Sequence, residues 1–429
     1  MEEEVKNSEF NASGNGAPKK SVLPVVICLV VIAAICCCAY FMMGAKSPEK
    51  FFETAISKAL HNGNKAGADS NYVISLDLDV TEPEGANTPL VKVLNELTGK
   101  ITTKVQDNSF EVGLYLDRAG KLVLDADVIA TADDNKAYVK LAPIVEEYIE
   151  YEYEESEVNV KEAIDAAKQS TEEMPKERLE ILNKELANLI NKEKTSKESE
   201  TIEVNGKSVK ATAYIYKTTI KEAKEALSTM CDNLLNNEAY LATYDEKGKE
   251  QITKTLEEYK ESIANAGEEN NNNPVTFKVY VTGLTGSKIV RVSYEVENLD
   301  AEFKNSIVVD VLSEKEFAYV VTNQGEESIK GTITIDKESE EKVNVVVTAE
   351  SQGYTVKAMA TAEHLVDATI PEVSSLETVK MEDLNSFTLA IKLLGSEIYK
   401  IYTEVVPQQD ATETVEAVPF DDTNYQLEY

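Results

Sequence analysis

Apolar and polar residues alternate along much of this chain, and the alternation comes in two series. In the first, Tyr72–Val80 sets Ile74, Leu76, Leu78 and Val80 on one side and Asp77 and Asp79 on the other. Lys100–Gln106, Phe110–Asp117, Lys121–Thr131 and Lys136–Leu141 continue it, with Asp133-Asp134-Asn135 as the turn between the last two. The second series runs through Val275–Val281, Lys288–Glu297, Phe303–Leu312, Phe317–Thr322, Ser328–Ile335, Val343–Glu350 and Tyr354–Glu363. A period of two predicts strands, and an apolar row on one side predicts antiparallel sheets with one face buried and one wet. Between the series, Thr201–Val204 and Lys207–Tyr216 flank Asn205-Gly206, the pair that best accepts positive φ in a tight hairpin turn. Gly331 inside a strand predicts a bulge or a bend.

Helical spacing appears around and between these series. Ser47-Pro48-Glu49 has the order of a helix start, and Phe51, Ala55, Ile56, Ala59 and Leu60 then share one face. Val160–Lys168, Lys176–Lys192 and a long region from Thr219 to Ala264, interrupted near Lys247-Gly248-Lys249, predict further helices. Glu268 to Asn273 reads as a solvated linker. Leu384–Tyr402 predicts a closing helix with Phe387, Ala390, Ile391, Leu394 and Ile398 on its buried face.

Near the N-terminus, Val22 to Met43 contains no charged residue. Twenty-two helical residues would span ~33 Å, about the hydrocarbon thickness of a bilayer. The pattern therefore predicts a single transmembrane helix acting as a signal-anchor, with residues 1–21 cytoplasmic and the C-terminal part extracellular. The expected fold class is α+β: one transmembrane helix, then curved antiparallel β-sheets, half-barrel-like, covered by amphipathic helices. The expected organisation is a first meander with helices over 46–268, a second with its closing helix over 274–404, and an acidic tail over 405–429.

Composition narrows the function. The chain has 429 residues with 77 Asp and Glu against 43 Lys and Arg, a net charge of −34. A phosphate-binding face needs clustered cations, so nucleic acid is excluded as a partner. Arginine occurs only at Arg118, Arg178 and Arg291, and tryptophan is absent, which removes the usual anchors of tight interfaces. Outside the apolar run only Cys231 remains, so no internal disulfide holds the rest together.

Candidate chemistry is sparse. The two histidines, His61 and His364, stand at the end of a predicted helix and just after a predicted strand, and neither has organised partners. Asp125, Asp127, Asp133 and Asp134 are hard oxygen ligands, but their spacing makes no known cation loop. Tyr148-Ile149-Glu150-Tyr151-Glu152-Tyr153 reads as an aromatic platform for a glycan or peptide or, more simply, as an edge strand or an extended acidic loop. No phosphate loop, nucleophile elbow or dinucleotide fingerprint occurs. The reading is a non-enzymatic protein with no catalytic residue, no cofactor and no metal.

The anchor followed at once by Ser47-Pro48-Glu49-Lys50-Phe51-Phe52, and Val204-Asn205-Gly206-Lys207-Ser208-Val209-Lys210-Ala211-Thr212 leading into an amphipathic helix, resemble uncharacterised membrane-anchored extracytoplasmic proteins of low-GC Gram-positive bacteria. The order of sheet and helix is similar in pattern to the half-barrel of LolA/LppX-type lipid and lipoprotein carriers. The resemblance implies a curved sheet holding an apolar groove under helices, with a lipid or an envelope protein as its ligand; this chain is longer and lacks a lipobox cysteine. From the residues themselves, helices on one-faced sheets such as Val290–Val296 would leave a gap lined by apolar side chains. The alternatives are a structural or adhesive surface protein and an envelope sensor acting through a partner.

Overall fold

The alternation in the sequence becomes strand almost residue for residue. The structure, a computed structural model, describes residues 47–54, 57, 71–106, 108–132, 136–152, 164, 174–267, 271–283, 288–299, 303–339, 341–366 and 368–406. Sixteen strands lie among them, and strand outweighs helix. The chain is mostly β, which corrects the expected α+β class.

The single-pass topology is corrected too. Among the described residues no helix is long and apolar enough to cross a membrane. The longest, Glu246–Asn265, has 20 residues but interleaves Lys and Glu along its length and buries only Leu256. Val22–Met43, on which the transmembrane, signal-anchor and extracellular expectations stood, lies outside the described residues.

The described chain divides into two compact units, one made of Ser70–Ala166, Glu338–Asn344 and Gly353–Tyr429, the other of Met1–Asp69, Ala167–Lys337 and Val345–Gln352. In the first, β1 (Tyr72–Thr81), β2 (Leu97–Gln106), β3 (Ser109–Arg118), β4 (Lys121–Thr131), β5 (Lys136–Ala142) and β6 (Val145–Glu152) form an antiparallel meander. The strand Tyr354–His364 returns to pair with β1, placing Ile74 opposite Ala362, and Thr378–Lys380 joins β6 in parallel. The helix Pro89–Glu96 starts on its proline and is held to β1 by Asn95, whose amide accepts from Val80 N at 2.6 Å and donates to Val80 O at 2.9 Å. Burial here is uneven: Val80 is 8% exposed but Leu76, four residues away on the same face, is 43% exposed.

The closing helix of this unit differs from expectation. It is two helices, Ser386–Gly395 and Glu397–Val405, because Ser396 caps the second one by accepting from Tyr399 N at 3.3 Å. Phe387, Ile391 and Leu394, expected to cover a sheet, are 73%, 54% and 55% exposed. What ties the second helix down is charge: Glu404 pairs with Arg118 at 2.8 Å, and Arg118 also holds Glu96.

In the second unit the sheet runs β7 (Thr195–Val204), β8 (Lys207–Thr219), β9 (Pro274–Thr282), β10 (Lys288–Asn298), β11 (Phe303–Val311), β12 (Glu316–Asn323) and β13 (Glu326–Lys337), with residues 345–351 of β14 (Lys342–Ser351) beside β13. Asn205 and Gly206 turn β7 into β8 with φ of 49° and 68°, as the sequence predicts. Gly331 is a site of close approach rather than a bulge: a Cβ there would meet Thr348 O at 1.8 Å. One face of β8, β9 and β10 gathers Tyr214, Val275, Phe277, Val279, Val292 and Tyr294 with Phe51 and Phe52 of the helical segment 48–54. The helical region breaks before residue 246 rather than at Gly248, into Ile220–Leu235, Glu238–Leu241 and Glu246–Asn265. Asn271 and Asn273 are packed rather than part of a solvated linker: Asn273 is 5% exposed, and Asn271 accepts from the buried Lys224 ammonium at 2.9 Å, while Asn272 between them is exposed.

Candidate functional site

The site follows from how β8 ends. Tyr214, Tyr216 and Thr218 alternate onto one face, and Thr219 then caps the helix Ile220–Leu235. The cap is a reciprocal box: Thr219 Oγ1 accepts from Glu222 N at 3.2 Å, and Glu222 accepts from Thr219 N at 2.9 Å. The sharp entry folds the helix back over the face it has just left. The helix presents Ala223, Ala226 and Leu227 there. Two of these are alanines, too short to reach the rings of the sheet.

A partly open void of about 40 Å³ results. Val275 and Phe277 of β9 and Tyr294 of β10 line its sheet side, Tyr216 and Thr218 its edge, and Phe52, Leu189 and Ile190 close it laterally. Tyr216 donates its hydroxyl to Leu189 O at 3.0 Å, which fixes the chain after the helix Lys176–Asn188 against the void. Burial raises the Tyr216 pKa, and it pushes the Tyr294 hydroxyl up to about 12. Both are therefore neutral at physiological pH. At the rim, Thr218 donates to Glu222 at 3.1 Å and Lys194 pairs with the same carboxylate at 2.5 Å. That ammonium, the Thr219 amide and the Thr218 hydroxyl bring Glu222 down to about 2. Among the described residues the wall itself carries no carboxylate, histidine, cysteine or amine.

No protein-family model and no curated protein matches the chain. Among solved structures, the dehydratase domain of RzxB from Pseudomonas fluorescens aligns at 8% identity over 72% of this chain and 82% of that one, with a TM-score of 0.09. A likeness of that size carries no argument.

The structure brings none of the histidines, aspartates and tyrosines weighed as candidate chemistry into this site. His61, Asp133, Asp134 and Tyr153 lie outside the described residues. His364 is half-buried, its ring edge-on to Tyr72 at 5.7 Å. Asp125 pairs with Lys140 at 2.7 Å, and Asp127 accepts from Tyr148 Oη at 2.5 Å. Tyr148 thus has its hydroxyl engaged and its side chain half-buried. The strand β6 is not an edge, since Thr378–Lys380 covers it. Among the described residues no group of three metal-ligating side chains occurs. Tyr294 falls in Val290–Val296, the strand expected to leave an apolar gap, whereas Tyr216, Ala223 and Ala226 escaped the sequence reading. Their one signal is the alternation Tyr214, Tyr216, Thr218 running straight into a helix with two alanines three residues apart.

Proposed function

We propose that the chain is a non-enzymatic binding protein that holds an apolar ligand in the void under the helix Ile220–Leu235. The observation that carries this reading is the void's wall, which is aromatic and aliphatic apart from tyrosine and threonine hydroxyls. Ligand sites are concave and mostly apolar, with a few placed polar groups. Catalysis of acyl transfer or hydrolysis needs a nucleophile with a base or a metal beside it, and this wall supplies neither.

The test is native mass spectrometry and organic extraction of protein purified from its own host, set beside Ala226→Phe, which fills the void. An apolar molecule at near one per chain, lost in the variant, supports the reading. A wild-type chain that carries none overturns it.

A further inference from the structure

We propose that the void takes an uncharged ligand whose buried end carries one hydrogen-bond acceptor, a carbonyl oxygen, seated against the Tyr294 hydroxyl. The inference rests on reading the void as a ligand site and adds the class of ligand.

Tyr294 is 7% exposed and lines the void. Its hydroxyl makes no hydrogen bond among the described residues, and burial alone acts on its ionisation. Nor is it sealed: the neighbouring Ser293 Oγ is a closed-off polar atom without a hydrogen-bond partner among the described residues, whereas Tyr294 Oη is not closed off. Elsewhere in this unit part-buried tyrosines spend their hydroxyls. Tyr216 donates to Leu189 O, Tyr280 to Glu200 at 3.3 Å and Tyr319 to Thr348 O at 2.8 Å. The Tyr214 hydroxyl also makes no hydrogen bond among the described residues, but its ring stacks on Phe51 and does not line the void. In a partly open void water can meet this donor, but an apolar ligand that displaces the water without supplying an acceptor leaves it unmade, at about 1–3 kcal/mol. The hydroxyl is thus a donor awaiting an acceptor.

Charge decides the kind of acceptor. Among the described residues the wall holds no cation, and the nearby Lys194 ammonium is already closed on Glu222 at 2.5 Å. A carboxylate entering here would lose its hydration, find no counter-ion and approach Glu222. A ketone, ester or amide oxygen has no such cost. Size agrees: about 40 Å³ accepts an acetyl-sized head, and a longer apolar part leaves through the open side.

The experiment measures binding of three probes to the full chain: 2-octanone, its shape-matched alkene 2-methyl-1-octene, and octanoate. The ketone is expected to bind about tenfold tighter than the alkene, the worth of one buried hydrogen bond, and tighter than octanoate. Tyr294→Phe should erase the preference for ketone over alkene and keep the wild-type melting temperature. Equal binding of ketone and alkene to the wild type, which needs no variant, overturns the inference while leaving the apolar site standing, as does tighter binding of octanoate. Failure of all three probes to bind overturns the site itself, and the inference with it.

Discussion

The ring of Phe51 lies flat on the ring of Tyr214, their centroids 4.1 Å apart and their planes 7° from parallel. This contact docks the helical segment 48–54 on the sheet, and Phe52 beside it packs 5.9 Å from Phe277 and walls the void. Both phenylalanines are almost fully buried. Phe51→Ala should therefore cost about 3–5 kcal/mol, the usual price of removing a buried aromatic ring. Urea denaturation reads it out, and Phe51→Leu should recover part of the loss. A midpoint unchanged by Phe51→Ala would mean that the segment does not dock on the sheet.

Gly331 has a different kind of importance. Tyr319 Oη donates to Thr348 O at 2.8 Å, and Thr332 and Thr348 hydroxyls meet at 2.8 Å, so β13 and residues 345–351 are drawn together around it. Thr348 O sits where a side chain would begin. Gly331→Ala forces that backbone apart and should destabilise by about 2 kcal/mol or more. Thermal melts of Gly331→Ala and of the milder Tyr319→Phe, which loses only the hydroxyl, check it. Equal melting temperatures for all three proteins would refute the close approach.

Local features of this fold were legible where one residue type carries the physics. Asn205-Gly206 is a turn because both residues tolerate positive φ. Ala119-Gly120 and Gln324-Gly325 make the same kind of turn, at φ of 50° and 81° and of 53° and 83°, but nothing about alanine or glutamine announces it. Ser396, a helix cap inside an apolar run, was hidden because the periodicity passes through it undisturbed. Long-range facts left no trace. Tyr72 pairs with His364 across almost the whole described chain, and no local pattern encodes that partner. Leu76 and Leu394 keep the spacing of buried residues while standing exposed, since periodicity says which residues share a face and not whether anything covers it. The void was foreseen only in kind, as an apolar gap between helix and sheet. Its place depends on which helix lies over Tyr294, and that is a property of tertiary packing.

The hairpin at Asn205-Gly206 gives a direct test of backbone strain. Gly206 has φ of 68° and open space around a would-be Cβ, so a substitution meets no clash, only the left-handed backbone. Gly206→Val should cost about 1–2 kcal/mol, because a β-branched residue is least at ease there. Gly206→Asn should cost markedly less. Melting temperatures in the order glycine, asparagine, valine are expected, and a valine variant as stable as wild type would show that the turn does not hold this geometry.

The last expectation concerns pH and the rim of the void. Glu222 is held at about 2, first by the Lys194 ammonium and then by the Thr219 amide, with a smaller part from Thr218. A carboxylate with a folded-state pKa below its unfolded value of about 4.5 stabilises the fold when ionised. That contribution is complete above the unfolded value and is lost as pH falls from about 5 towards 2. The group is about half exposed, so solvent screens the pair and the contribution is about 1 kcal/mol or less. Glu222→Gln isolates it, because glutamine can keep the capping box while losing the charge. Wild type should be the more stable at pH 7, and the difference should shrink through pH 4 and vanish near pH 2. Lys194→Met should lower the wild-type advantage over the same window and, by freeing Glu222 at the rim, leave ketone binding in place while disfavouring octanoate further. A stability difference between wild type and Glu222→Gln that stays constant from pH 7 to pH 2 would show that the Lys194 pair contributes nothing to the fold.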